Sequence, residues 1–293
     1  MPVIYGTQHV DERYAPIFEP NLYYNSFLVP GVTCTNKYTQ KAGGIYVHKL
    51  SGVAPVEPGT PGRDFNHTNS ADELIQIVLN NNYQKSRKLY EVQMEAVEAP
   101  VAEENLRTAT NEVREGRELS ALGALITEGT MSTVTTAVTA DNIKELILAE
   151  RAALSKAKGR ANIILASPDT YAAILTGAGK EFVPSRNERI QMSGQVGEWF
   201  GFTIFECNAL AHGSAVNYYD YSGTKKSVAV SKLNGVDFIM YYSEALSVVD
   251  NLSKYKMEDG GVLFNGVAAQ VEVNTGFRVT NSALARIKSH ASA

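Results

Sequence analysis

The chain has 293 residues, of which 44% are hydrophobic and 20% charged, enough apolar material for one large or two ordinary folded domains, which excludes a disordered chain. Its formal net charge of -4 excludes a protein that coats DNA along its whole length, because phosphate binding is driven by clustered Lys and Arg displacing counterions. No basic segment followed by an apolar core opens the sequence and no stretch approaches ~20 consecutive apolar residues, so a soluble product of a reducing cytoplasm is expected, with no secretory signal and no membrane span.

Residues 1–43 carry Pro2, Pro16, Pro20 and Pro30 among many aromatics and keep neither a helical nor an alternating period, which predicts an extended arm. Ile17, Phe18, Leu22, Tyr23, Tyr24, Phe27 and Leu28 cannot build a core alone, yet leaving them in water costs about 25 cal/mol per Å² of apolar surface. They must dock on the chain's own body or on a neighbouring subunit; Phe18, Tyr23, Tyr24 and Phe27 are the candidate contacts. Over 44–82, a strand from Gly44 to Leu50 and a return from Glu73 to Leu79 flank a tip containing Gly52, Pro55, Pro58, Gly59, Pro61 and Gly62. This predicts a projecting hairpin whose prolines keep the tip from pairing as a sheet edge. A loop of that length is unusual inside a compact domain, so Pro55, Pro58, Gly59, Pro61 and Arg63 are candidate contacts as well.

Over 83–130, Pro100 precedes and Gly129 ends a helix from Ala102, ~40 Å long at the α-helical rise. One stripe of it is small: Ala102, Leu106, Ala109, Val113, Gly116, Ser120 and Gly123. Each interior glycine costs ~1 kcal/mol against Ala, which predicts a sheet packed close to that side. The opposite side carries Glu103, Arg107, Glu112, Arg114, Glu115, Arg117 and Glu118. These form a solvated face or set the register of one subunit against the next, with Arg107, Arg114 and Arg117 as the candidate contacts.

The segment 131–242 begins Thr-rich. It then predicts a helix from Asp141 to Lys158, with Ile143, Leu146, Ile147, Ala153 and Leu154 on one face and Gly159 as its stop. A buried strand follows from Ala161 to Ala166, and Ser167 with Pro168 caps a helix from Asp169 to Leu175. Beyond a loop at 176–196, Trp199 to Glu206 reads as one strand, and Val228–Ser231 with Val236–Tyr242 as a hairpin turning at Asn234-Gly235. In 243–293, apolar segments alternate over Val262–Val273 and Phe277–Thr280, before Ala283–His290.

Sites of chemistry are missing from this pattern. Gly177, Gly179 and Lys180 lie close together, but Ile174 and Glu181 stand where a phosphate loop needs Gly and Ser or Thr. His9, His48, His67, His212 and His290 are scattered, Cys34 and Cys207 lack CxxC spacing, and no GxSxG elbow occurs. Lys85, Arg87 and Lys88, and Lys225-Lys226, are too few for nucleic-acid recognition. The sequence therefore nominates no catalytic, cofactor-binding or metal-binding residue. A soluble α/β enzyme with a site assembled from scattered residues stays as an alternative.

The order of parts, an arm, a Pro/Gly-tipped hairpin, a long helix, an α/β unit and late strands, resembles the HK97-type major capsid protein, a fold shared with encapsulins. Local phrases agree: Asp72–Tyr90 (DELIQIVLNNNYQKSRKLY) is similar to the strand leading out of that family's E-loop. Ala161–Ile174 (ANIILASPDTYAAI) is similar to an axial-domain strand and helix, and Gly201–Leu210 (GFTIFECNAL) to a further strand segment. The resemblance implies an α+β fold with an N-terminal arm (1–43), an E-loop hairpin (44–82), a peripheral domain with a spine helix (83–130), an axial α/β domain (131–242), and return strands with a C-terminal segment (243–293). It also implies a non-enzymatic role, self-assembly into pentamers and hexamers of an icosahedral shell around double-stranded DNA without sequence-specific contacts, and a virion capsid put together in a bacterial cytoplasm. About forty residues precede the hairpin, which implies a separate scaffold protein or none; a portal is the other expected partner. An encapsulin-type compartment is the alternative within the fold.

Overall fold

The computed structural model describes residues 27–35, 45–51, 71–90, 101–178, 183–184, 195–259, 265–279 and 287–292. Strands β1 (Ile45–Ser51) and β2 (Ala71–Ile77) are followed by β3 (Asn81–Tyr90) and the 28-residue helix α1 (Val101–Glu128). Next come β4 (Thr130–Val134), α2 (Ile143–Lys156), β5 (Ile163–Ala166), α3 (Pro168–Ala178), β6 (Val183–Pro184), β7 (Gln195–Trp199) and β8 (Phe202–Glu206). The chain closes with β9 (Val216–Tyr219), β10 (Lys225–Val228), α4 (Val230–Asn234), β11 (Val236–Tyr241), β12 (Leu246–Asp259), β13 (Gly266–Val279) and β14 (Lys288–Ser292).

The described strands form a mixed seven-stranded sheet in the order β4-β14-β11-β5-β8-β7-β6, a three-stranded sheet β12-β13-β3, and two separate pairs, β1-β2 and β9-β10. Both faces of the large sheet are covered, which explains why β5 reads as an unbroken apolar run and is buried at every position. Ile163 and Leu165 point to the side where α1 buries Leu122, Leu125 and Ile126, whereas Ile164 and Ala166 meet Ile143, Ile147 and Leu154 of α2. Strand β11 divides the same way, with Ile239 and Tyr241 on the α1 side and Phe238 and Met240 on the other. This is the period-2 alternation of a strand serving two cores.

The N-terminal half of α1 lies on the three-stranded sheet, where Ala109 and Val113 pack with Val271 and Val273. The small-residue stripe does what its composition requires. A Cβ added at Gly116 would stand 3.3 Å from the Tyr83 ring of β3, and one at Gly123 only 2.9 Å from the Tyr218 ring of β9. The charged side is narrower than the sequence suggests. Glu118 is 1% exposed, Glu112 pairs with Lys85 and Arg87 of β3, and Arg117 reaches Asp250 of β12 at 2.7 Å. A helix lying flat on a sheet buries an arc wider than one row of i, i+4, i+7 positions, so residues flanking the stripe turn inward.

Three further readings are corrected. Trp199–Glu206 is two strands, because Phe200 (φ 51) and Gly201 (φ 77) make a two-residue turn with both central residues left-handed, bringing Trp199 opposite Phe202. Val228 and Val236 do not form a hairpin: β10 pairs with β9, and α4 fills the interval, with Gly235 at φ -79 as its cap. The 14-residue β12 is an element the sequence reading omitted. Helix α2 does stop at the expected place, but Lys158, not Gly159, takes the left-handed position (φ 56). The Gly159 N–H bonds the Leu154 carbonyl at 2.7 Å and the Lys158 N–H that of Ser155 at 2.9 Å, a Schellman closure. Lys158→Gly is therefore expected to raise stability by about 0.5–1 kcal/mol, as relief of the Cβ strain outweighs the added freedom of the unfolded chain; a urea unfolding curve of the purified chain measures it.

Candidate assembly surfaces

The hairpin stands apart from the sheets of the body among the described residues. Its strands run antiparallel from Ile45 opposite Ile77 to Ser51 opposite Ala71, and among the described residues they pair with no other strand. A two-stranded ribbon is marginal in water by itself, so its root must be held, and it is. Ile77 and Leu79 are buried against Val249. Gly276 of β13 passes so close that a Cβ there would stand 2.9 Å from the Val78 carbonyl. Val78 N–H donates to the Tyr221 carbonyl at 3.1 Å, and Arg278 donates to the Gln76 carbonyl at 2.6 Å while lying 3.9 Å over the Tyr221 ring. The Asn81 side chain exchanges two hydrogen bonds of 2.8 Å with the Tyr219 backbone, imitating a strand partner.

The residues expected at contacts separate into three groups. Phe18, Tyr23 and Tyr24 of the arm, and Pro55, Pro58, Gly59, Pro61 and Arg63 of the hairpin tip, lie outside the described residues. Phe27 is corrected: at 1% exposure it belongs to the chain's own core, so it offers no ring to a neighbour. The arm's last described residues dock on the same body, since the Thr35 N–H donates to the Leu246 carbonyl at 2.8 Å and the Thr35 carbonyl accepts the Val248 N–H at 3.0 Å. Arg107 and Arg114 are exposed, seven residues apart on α1. Arg117 makes a two-pronged contact with Asp250 of its own chain at 2.7 and 2.8 Å, and Asp250 also accepts from Thr275 at 2.8 Å.

Electrostatics at these places follows burial. Burial raises the Glu112 carboxyl, but hydrogen bonds from Arg87 and Lys85 outweigh it and hold the group below its ordinary range. Burial pushes Glu128, at the end of α1, up to about 7. It pushes the thiols of Cys34 and Cys207 up to about 12, which makes both poor nucleophiles at neutral pH. Among the described residues no three His, Cys, Asp or Glu side chains converge as a metal site. A cavity of about 210 Å³ is lined by Arg151, Ser155, Arg160 and Phe202 among others, where Arg151 lies over Phe202 and no nucleophile faces a base. His290 is buried, stacked on Phe238 at 4.9 Å, with Nδ1 3.0 Å from Asp237.

Compared with known proteins, the chain matches no family model and no curated sequence. Solved structures do match over nearly the full length. A chain of Mycobacterium phage Che8 superposes with a TM-score of 0.66 at 14% identity, covering 95% of this chain and 96% of that one. A chain of the capsid structure of the cyanophage P-SCSP1u gives 0.65 at 13% identity, covering 94% and 90%. One from the asymmetric unit of the bacteriophage PhiM1 mature capsid gives 0.59 at 12%, covering 95% and 91%. At these identities the agreement is one of fold: the mixed α/β architecture described above is shared with chains of phage capsid structures.

Proposed function

We propose that this chain is the major capsid protein of a tailed-phage-like particle, copies of which assemble as pentamers and hexamers of an icosahedral shell enclosing double-stranded DNA. The observation that carries the reading is the hairpin, anchored firmly at 76–81 yet paired with nothing beyond itself among the described residues, on a subunit with the fold of phage capsid chains. Such a ribbon gains its remaining partners from a neighbouring copy. In this HK97-type assignment the hairpin is the E-loop, α1 is the spine of a peripheral domain that includes 83–130 and the strands β12–β13, and 131–242, with β14 completing its sheet, is the axial domain. Arg107 and Arg114 on the outer face of α1, the arm residues Phe18, Tyr23 and Tyr24, and the hairpin tip are the proposed contacts.

Function is geometric under this reading. Each subunit contributes several interfaces, each on the order of ~1,600 Å², and contacts that are individually weak close a shell through their number. The net charge of -4 lets the shell hold DNA without adhering to it. A scaffold protein and a portal are the proposed helpers, no enzymatic step is assigned, and assembly takes place in the bacterial cytoplasm. Mass measurement of the purified protein tests self-association. Species of five or six chains, or larger closed assemblies, are expected, and a single species at the 31.9 kDa of one chain under assembly conditions contradicts the proposal.

A further inference from the structure

Where the hairpin leaves the body, β13 and the β9–β10 turn hold residues 76–80, and Glu128 of α1 lies against the end of β13. Its Oε2 accepts the Val279 N–H at 2.9 Å, while its Oε1 is buried without a hydrogen-bond partner. Directly before Val279, Arg278 holds the Gln76 carbonyl and covers Tyr221, whose own carbonyl accepts the Val78 N–H. Among the described residues, the charged or titratable groups that face Glu128 are Arg278 of β13, Asp220 of the β9–β10 turn and Tyr218 of β9. Asp220 in turn lies 3.6 Å from Lys226 of β10. A carboxyl at the end of the long helix is thus connected, through one strand end, to the backbone that anchors the hairpin.

We infer that Glu128 is a positioning residue that makes the seating of the hairpin root depend on its protonation: neutral, it keeps the end of β13 on α1 and Arg278 on Gln76, and ionised, it favours release. A buried carboxyl with one oxygen unsatisfied loses less as the neutral acid than as the anion. Burial is the dominant effect and raises the group to about 7, against the Val279 hydrogen bond and the attraction of Arg278, which both favour the anion. Once the root opens to water, the carboxyl returns towards its ordinary value of 4.5. Between these two values the open root holds fewer protons than the seated one. The open-to-seated ratio therefore rises about tenfold per pH unit in that window, by up to about two orders of magnitude in all, and is flat above it. The cluster lies within one subunit, so the inference stands apart from shell formation.

Amide hydrogen exchange on the purified full chain, corrected for the intrinsic pH dependence of exchange, reads the root through Val78 and Val279, with β5 as internal reference. Protection at Val78 and Val279 is expected to fall between about pH 5 and about pH 7 and then level off, while β5 stays constant. Glu128→Gln, which keeps an acceptor for Val279 and carries no charge, is expected to hold the acidic-side protection throughout. Constant protection in the wild type, or a Gln variant that falls in parallel with it, overturns the inference. Should the variant fail to fold, the Glu128 carboxyl ¹³C shift in the wild type decides: a midpoint near the protection change supports the inference, and one near the ordinary glutamate value overturns it.

Discussion

Gly123→Leu is expected to cost the subunit about 3 kcal/mol or more, a large share of the 5–15 kcal/mol that holds a typical domain folded. The first added carbon would stand 2.9 Å from two atoms of the Tyr218 ring. Tyr218 is itself 2% exposed and packed in the main core, so the ring has nowhere to retreat without moving β9. Gly116 makes the contrast. There the ring of Tyr83 is 3.3 Å from the added carbon, a contact that a shift of a few tenths of an ångström relieves. The ~1 kcal/mol that Ala gains over Gly in a helix interior opposes it, so Gly116→Ala is expected to change stability by less than about 1 kcal/mol. Urea unfolding of both variants measures the difference; a Gly123→Leu protein as stable as the wild type would show that the close approach of β9 to α1 is not what requires glycine.

Removal of Val53–Phe65 is expected to leave a folded, soluble subunit that closes no shells. The deletion leaves untouched the anchoring set at 76–81, with Arg278 and Gly276, and the described residues of the hydrophobic cores. Thermal unfolding should change little, because the stability of the body and the reach of the hairpin are separate properties of this fold. Assembly should change almost completely, since a truncated ribbon cannot cross to a neighbour. Wild-type shells from the deleted protein would remove the role given to the loop.

The parts of the fold that were legible in the sequence are those whose partners lie close along the chain or whose pattern is strongly punctuated. Helix α1 declares itself through Pro100, Gly129 and a stripe of small residues. Strand β5 does so through four apolar residues in a row, and α3 through Ser167, whose hydroxyl accepts the Thr170 N–H at 3.3 Å. Strand β12 stayed hidden for a physical reason: its register with β13 shifts between Asp250 and Leu252, and a bulge of that kind breaks the alternation by which strands are found. The β7–β8 turn stayed hidden because Phe200 occupies a left-handed position that residue type does not announce. Of the candidate surface, the hairpin pairing was legible and its anchoring was not. Arg278 meets Gln76 across 202 residues, Arg117 meets Asp250 across 133, and Glu128 meets Val279 across 151; only the folded chain brings such residues together. Phe27 shows the converse, an aromatic for which own body and neighbour were both open and which fills its own core.

Electron cryomicroscopy of the assembled protein tests the central claim most directly. The account predicts closed shells built from five- and sixfold rings, with each hairpin lying across an adjacent subunit and Arg107 and Arg114 at or near a boundary between copies. A preparation that yields only separate subunits under assembly conditions, or shells in which every hairpin folds back onto its own chain, would contradict it.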